Sequence, residues 1–213
     1  MVTVRFALLV GVLFAAPALA EGIEGMGRIS VVGGYKWTPN GYFEGKAAQA
    51  GHPLTGRTPG IEGSASFGYG VNSFAEVAID LFGGWETFTL DGYQPFSSTI
   101  YGGLIGLRVT STTLFGRSLV PHLGAQAGPA VAQITSPSFD LGERVLLAAT
   151  GNIGVTWRFV ERFGITLDVR YMYARLFVAD ISGANIGGVF FSIGATMYFP
   201  GSPERKDLSV PGF

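Results

Sequence analysis

Eight stretches of the chain alternate apolar and polar residues with a period of two, and this alternation restricts the fold more than any other feature. In 27–37 the odd positions read Gly27, Ile29, Val31, Gly33, Tyr35 and Trp37, and the even ones Arg28, Ser30, Val32, Gly34 and Lys36. Successive strand side chains point to opposite faces, so one face is apolar and the other polar. The pattern recurs at 61–71, 75–85, 99–109, 119–131, 147–157, 163–173 and 187–199. Charged residues and large amides fall on the even face: Glu62, Glu76, Asp80, Arg108, His122, Gln126, Asn152, Asp168 and Arg170, with Arg158 just beyond the sixth segment. No charge falls on the odd face of any segment. Each segment has 11 to 13 residues, close to the roughly 9–11 that a tilted strand needs to cross a bilayer.

The connectors alternate too. The first, third, fifth and seventh are long (38–60, 86–98, 132–146, 174–186); the others are a tight turn at Asn72-Ser73, a medium link at 110–118 and a short one at 159–162. Short turns on one side and long loops on the other are the habit of outer-membrane barrels, and an even strand number returns both termini to the same side. Odd-face aromatics gather at segment ends. Tyr35, Trp37, Trp85, Tyr101, Tyr171 and Tyr173 mark an outer rim, and Tyr69, Trp157, Phe163 and Phe199 an inner one, the expected pair of interfacial girdles. The expected fold is all-β: an eight-stranded, up-and-down antiparallel transmembrane β-barrel with lipid on the odd face. The competing fold is a soluble barrel with the odd face inward. Its water-facing side would then be Gly-rich with few Lys or Glu, which argues against it. Pro121 and Pro129 cannot donate ladder hydrogen bonds, which makes the fifth segment the least ideal; both are expected towards its ends.

Composition agrees. Charged residues are 14% of the chain, against about 25% in ordinary soluble domains. The absence of cysteine excludes a disulfide scaffold. A net charge of −1 leaves no basic excess for a nucleic-acid partner. At the start, Arg5 precedes an apolar run that ends in Ala18-Leu19-Ala20, followed by Glu21. This reads as a secretory signal peptide over 1–20, cleaved after Ala20; its apolar stretch falls short of the roughly 20 residues of a spanning helix. The barrel then occupies 21–199, and 200–213, with Glu204-Arg205-Lys206-Asp207, reads as a periplasmic tail.

Three stretches resemble the small eight-stranded outer-membrane barrels, the group of the OmpA transmembrane domain and the OmpX/Ail-like proteins. Arg162 to Tyr171 is similar to their penultimate strand, and Val120 to Gly128 to their fifth. Ser192, Gly194, Met197 and Phe199 resemble the closing-strand signal read by the barrel assembly machinery. One departure is that Phe199 is not the last residue, since Pro200 to Phe213 follow. The resemblance implies an outer-membrane location in a Gram-negative bacterium, lipid and lipopolysaccharide as surroundings, and no cofactor.

An eight-stranded barrel is just wide enough for its own side chains to fill it. Arg28, Lys36, Arg108, Arg158 and Arg170 stand against Glu62, Glu76, Asp80 and Asp168, and buried charges must pair or cost several kcal/mol each. The expected pairs are Lys36 with Glu62 and Glu76 with Arg108. A plug of ion pairs and a gated pore both fit this balance, and near-neutrality favours the plug. The leading function is therefore non-enzymatic, a structural or surface-interaction barrel; a small porin comes second and a lipid-modifying enzyme third. For the enzyme, His122 is the lone histidine within the segments, and Gly124 stands where a partner serine would face the same way. Two histidines and no cysteine offer no metal site. The long connector 38–60, carrying Tyr42, Phe43, Lys46, His52 and Arg57, is the candidate for an extracellular ligand, because loops over rigid scaffolds carry recognition.

Overall fold

The computed structural model describes residues 23–38, 54–92, 94–111, 118–136, 139–175 and 185–199. Eight strands form one closed barrel: β1 Gly27–Trp37, β2 Leu54–Gly70, β3 Ala75–Leu90, β4 Phe96–Thr110, β5 Leu119–Ser136, β6 Phe139–Val160, β7 Phe163–Ala174 and β8 Gly188–Phe199. Every strand pairs antiparallel with its sequence neighbour, and β8 closes on β1 from Gly27↔Phe199 to Trp37↔Val189. The expected up-and-down topology is therefore the one found. Closure leaves no unpaired edge along this seam, which is what allows strands to stand in a medium without hydrogen-bonding partners.

The odd face points outward. Val31, Ile61, Leu81 and Ile193 keep 58–63% of their surface exposed. Such a belt of branched apolar side chains is unfavourable in water at about 25 cal/mol per Å² and costs nothing against hydrocarbon. Inside, the even face is packed in two tiers. Towards the chain termini it is polar. Towards the long connectors it is apolar, with Phe82, Phe88, Phe96, Ile100, Leu104, Ile134, Leu146, Met172, Ile186 and Phe190 in one buried cluster; the Phe88 and Phe96 rings stack at 5.3 Å.

The expected long connectors 86–98 and 132–146 turn out to be largely strand, and the end of 38–60 is strand as well. β2 begins at Leu54, β3 runs to Leu90 and β4 starts at Phe96, while β5 reaches Ser136 and β6 starts at Phe139. The reason is an inversion of the pattern. In the extensions of β3, β4 and β5 the odd face becomes polar (Thr87, Thr89, Ser97, Thr99, Gln133) and the even face mostly apolar (Phe88, Phe96, Ala132, Ile134), whereas β6 keeps Val145 exposed on the odd face and Arg144 exposed on the even one. The barrel wall continues past the apolar belt, where the outside is wet and the inside dry. Only β1, β7 and β8 keep the short length expected of a strand confined to lipid. Pro129 also differs from expectation: it lies well inside β5, and the β4–β5 ladder skips from Gly102↔Ala130 to Ile105↔Ala127 beside it, because a proline has no N–H to give. The segments 1–20 and 200–213, and Tyr42, Phe43, Lys46 and His52, lie outside the described residues.

Close strand approach depends on particular glycines. A Cβ on Gly34 would run into the carbonyl of Phe191 across the closing seam, whereas one on Gly83 would meet only Tyr101 Cβ at 3.8 Å. Gly34→Val should therefore destabilise the barrel by about 1–3 kcal/mol through overpacking, and Gly83→Ala should change it little. The midpoint of urea unfolding in lipid vesicles checks both.

Candidate functional site

The lumen is where the chain places its ionisable side chains, and register decides which of them meet. His122, Gly154, Asp168, Ser192, Gly34 and Glu62 stand directly opposite one another on β5, β6, β7, β8, β1 and β2. Two of these six positions are glycines, so side chains reach over them to the next strand but one. His122 Nε2 lies 3.0 Å from Asp168 Oδ2 across Gly154, and the Ser192 hydroxyl donates to Glu62 across Gly34.

From this row a chain of alternating charge runs towards the inner mouth. Arg170 bonds Asp80 at 2.8 Å and stands 3.9 Å from Asp168. Arg108 lies 3.6 Å from Asp80 and 2.6 Å from Glu76, and Arg28 meets the same Glu76 oxygen at 2.9 Å. Arg108 also donates to Ser66, and Asn152 to Asp168. These charges are all nine-tenths or more buried. A single such pair barely repays its desolvation; a chain in which most charges touch two opposite ones repays it better and ties β1, β3, β4, β5, β6 and β7 together. Beside it, the hydroxyls of Ser30, Thr196, Thr166 and Thr156 form a ladder across β1, β8, β7 and β6 with steps of 2.8, 2.5 and 2.8 Å.

Glu76 and Arg108 are opposite and bonded. Lys36 behaves differently: it faces Gly60, and its partner at 2.8 Å is Glu86, not Glu62. Glu86 lies in the stretch that reads as connector, so it is absent from the sequence-derived set. Thr38 also donates to it, and this pair is embedded in the wall of the apolar tier. Gln126 is buried, and its amide atoms have no partner among the described residues. Arg158 stands apart at the inner mouth, where its guanidinium lies 5.0 Å from the centre of the Tyr198 ring and donates to the Glu161 carbonyl. The arginine-rich tier surrounds a cavity of about 20 Å³, room for roughly one water by the 10–15 Å³ criterion.

Outside, Tyr35, Trp37, Trp85, Tyr101, Tyr171 and Tyr173 project near one rim, and Tyr69, Trp157, Phe163 and Phe199 near the other. Of the closing-strand residues, Ser192 points inward, Gly194 sits against the Val31 carbonyl at the seam, and Met197 is on the outward face with Phe199. Arg57 belongs to the β2 ladder opposite Phe88.

Nucleophilic catalysis needs a hydroxyl bonded to the histidine and an acid behind it. Here Ser192 stands beyond Asp168, on the far side from His122, and gives its proton to Glu62. No hydroxyl bonds His122 among the described residues, and none of their acidic and histidine groups clusters as a metal site would.

No family model matches the chain, and neither does any curated protein. Solved structures do. The outer membrane protein OprG from Pseudomonas aeruginosa is 11% identical, covering 83% of this chain and 96% of its own, with a TM-score of 0.58. Neisserial surface protein A is 15% identical over 83% and 98%, with a TM-score of 0.52. The attachment invasion locus protein Ail of Yersinia pestis, in complex with the heparin analogue sucrose octasulfate, is 15% identical over 83% and 99%, with a TM-score of 0.51. Identities this low establish the fold, that of the small eight-stranded outer-membrane barrels.

Asp80 joins two arginines and is fully buried. Asp80→Ala should cost about 3–5 kcal/mol, the usual penalty for stranding buried charge, read as a fall in the urea midpoint.

Proposed function

We propose that this chain is a non-enzymatic barrel of the outer membrane of a Gram-negative bacterium, with a sealed lumen and a structural or surface-interaction role. The observation that carries the reading is the filling of the lumen. The lower tier is occupied by interlocked charges and the upper tier by an apolar cluster that includes Phe82, Ile100, Leu104 and Phe190. An aqueous pore needs a continuous polar path wider than a water molecule, and two stacked tiers of packed side chains oppose one. The outward apolar belt and the two aromatic rims support insertion in a bilayer. The Ala-x-Ala site before Glu21 supports export, and the Ser192–Phe199 closing signal supports delivery by the barrel assembly machinery. Lipid and lipopolysaccharide are then the surrounding partners.

Recognition falls to the outer end. The β2–β6 extensions raise a wall above the belt, and the first long connector leaves β1 after Trp37 and enters β2 at Leu54 at that end of the barrel. This supports an extracellular ligand at the first long connector; Ail in complex with a heparin analogue is an instance of a ligand on a barrel of this fold. The position of Ser192 away from His122 supports the absence of hydrolase chemistry.

Planar-bilayer recording tests this. Chain refolded to a heat-modifiable barrel should give no stable unit steps. Discrete, long-lived steps would mean an open lumen and would favour the small porin.

A further inference from the structure

We propose that the cavity in the polar tier is a binding site for one halide-sized anion. Its lining includes Arg28, Arg108 and Arg170, together with Ser64, Ser66 and Asp168. Glu76 and Asp80, which neutralise the arginines, do not line it. Three arginine side chains and a single carboxylate therefore line the cavity. The Oδ2 of that carboxylate is already engaged by His122 at 3.0 Å and Asn152 at 2.9 Å, and its Oδ1 lies 3.9 Å from Arg170 Nε.

Hydrogen-bond capacity points the same way. Arg28 Nε and Nη1, Arg108 Nε and Arg170 Nη1 are buried donors without a protein acceptor, and a guanidinium cannot accept. Among the fully buried unpartnered atoms of the lining, only Asp168 Oδ1 and His122 Nδ1 could accept. Donors outnumber acceptors two to one, so the guest must above all accept. Buried N–H groups on a charged side chain are costly to leave unmade, and an anion satisfies several at once. Size narrows the class: about 20 Å³ leaves room for one small guest, such as a water or a monatomic anion. The anion would act as a linchpin, holding β1, β4 and β7 through their arginines.

The inference rests on the sealed-lumen reading, but the two can fail separately, since an open lumen declares itself in bilayer steps whatever halide does. The full chain is refolded in sodium chloride, sodium bromide or sodium gluconate at equal ionic strength. The readouts are the temperature at which heat-modifiable gel mobility is lost, and anomalous scattering from crystals grown in bromide. A ligand that binds only the folded state raises the unfolding midpoint. Chloride and bromide should shift the midpoint upward to a plateau relative to gluconate, and bromide should give an anomalous peak among the three arginines. Ser64→Val, which fills the cavity and leaves every guanidinium in place, should abolish both. Bromide crystals with no peak there overturn the proposal, whatever the midpoints do. So does a halide shift that survives Ser64→Val.

Discussion

Charge inside a barrel of eight strands has no bulk water to lean on, and the structure is arranged around that constraint. Each buried guanidinium or carboxylate must find an opposite charge, and the neighbouring position on the same strand points into lipid. The solution here is to skip strands. Glycines at 154 and 34 remove side chains from one row, so that His122 reaches Asp168 and Ser192 reaches Glu62 over the gaps. Arg108 and Arg170 share Asp80, while Arg28 and Arg108 share Glu76. The glycine content is thus part of the electrostatics as well as of strand packing: a bulky residue at either gap would separate the polar partners.

The two-tier lumen follows from where the wall stands relative to the apolar belt. Within the belt, lipid takes the apolar residues and the interior takes what remains, which is polar. Past the belt the medium is water, and the preference reverses: Thr87, Thr89 and Ser97 turn outward while Phe88 and Phe96 turn inward and stack. One wall thus obeys the same hydrophobic rule twice with opposite sign. The apolar tier occupies the lumen above, and the charged tier occupies it below.

This reversal also explains how far the sequence could be read. The segments at 27–37 and 163–173 match β1 and β7 to within a residue, because those strands end near the belt and keep one sense of alternation throughout. The extensions of β2 to β6 escape a rule that asks for apolar odd positions, and Glu86 escapes with them. The observed Lys36 partner differs from the expected one for that reason: Glu62 is the acid on a strand the alternation marks, while the acid in reach lies on the extension of β3. Glu76 and Arg108 meet because the β3–β4 ladder keeps one unbroken register from Phe88↔Phe96 to Ala75↔Val109. The hydroxyl ladder of Ser30, Thr196, Thr166 and Thr156 crosses the β1–β8 seam, and sequence separation hides such contacts. Pro129 shows a different limit: a ladder can absorb one missing donor in mid-strand when its other neighbour, β6, keeps full pairing at Leu147.

The claim beneath all of this is that the odd face meets lipid and the even face does not. Trp37, Trp85 and Trp157 are all the tryptophans of the chain, and all three are on the odd face near the rims. The most direct measurement is therefore quenching of intrinsic fluorescence in vesicles of brominated phospholipid. The account predicts strong quenching by bromine placed near the headgroup, weaker quenching by bromine near the bilayer centre, and little by aqueous acrylamide. Quenching by acrylamide with none from either brominated lipid would contradict it.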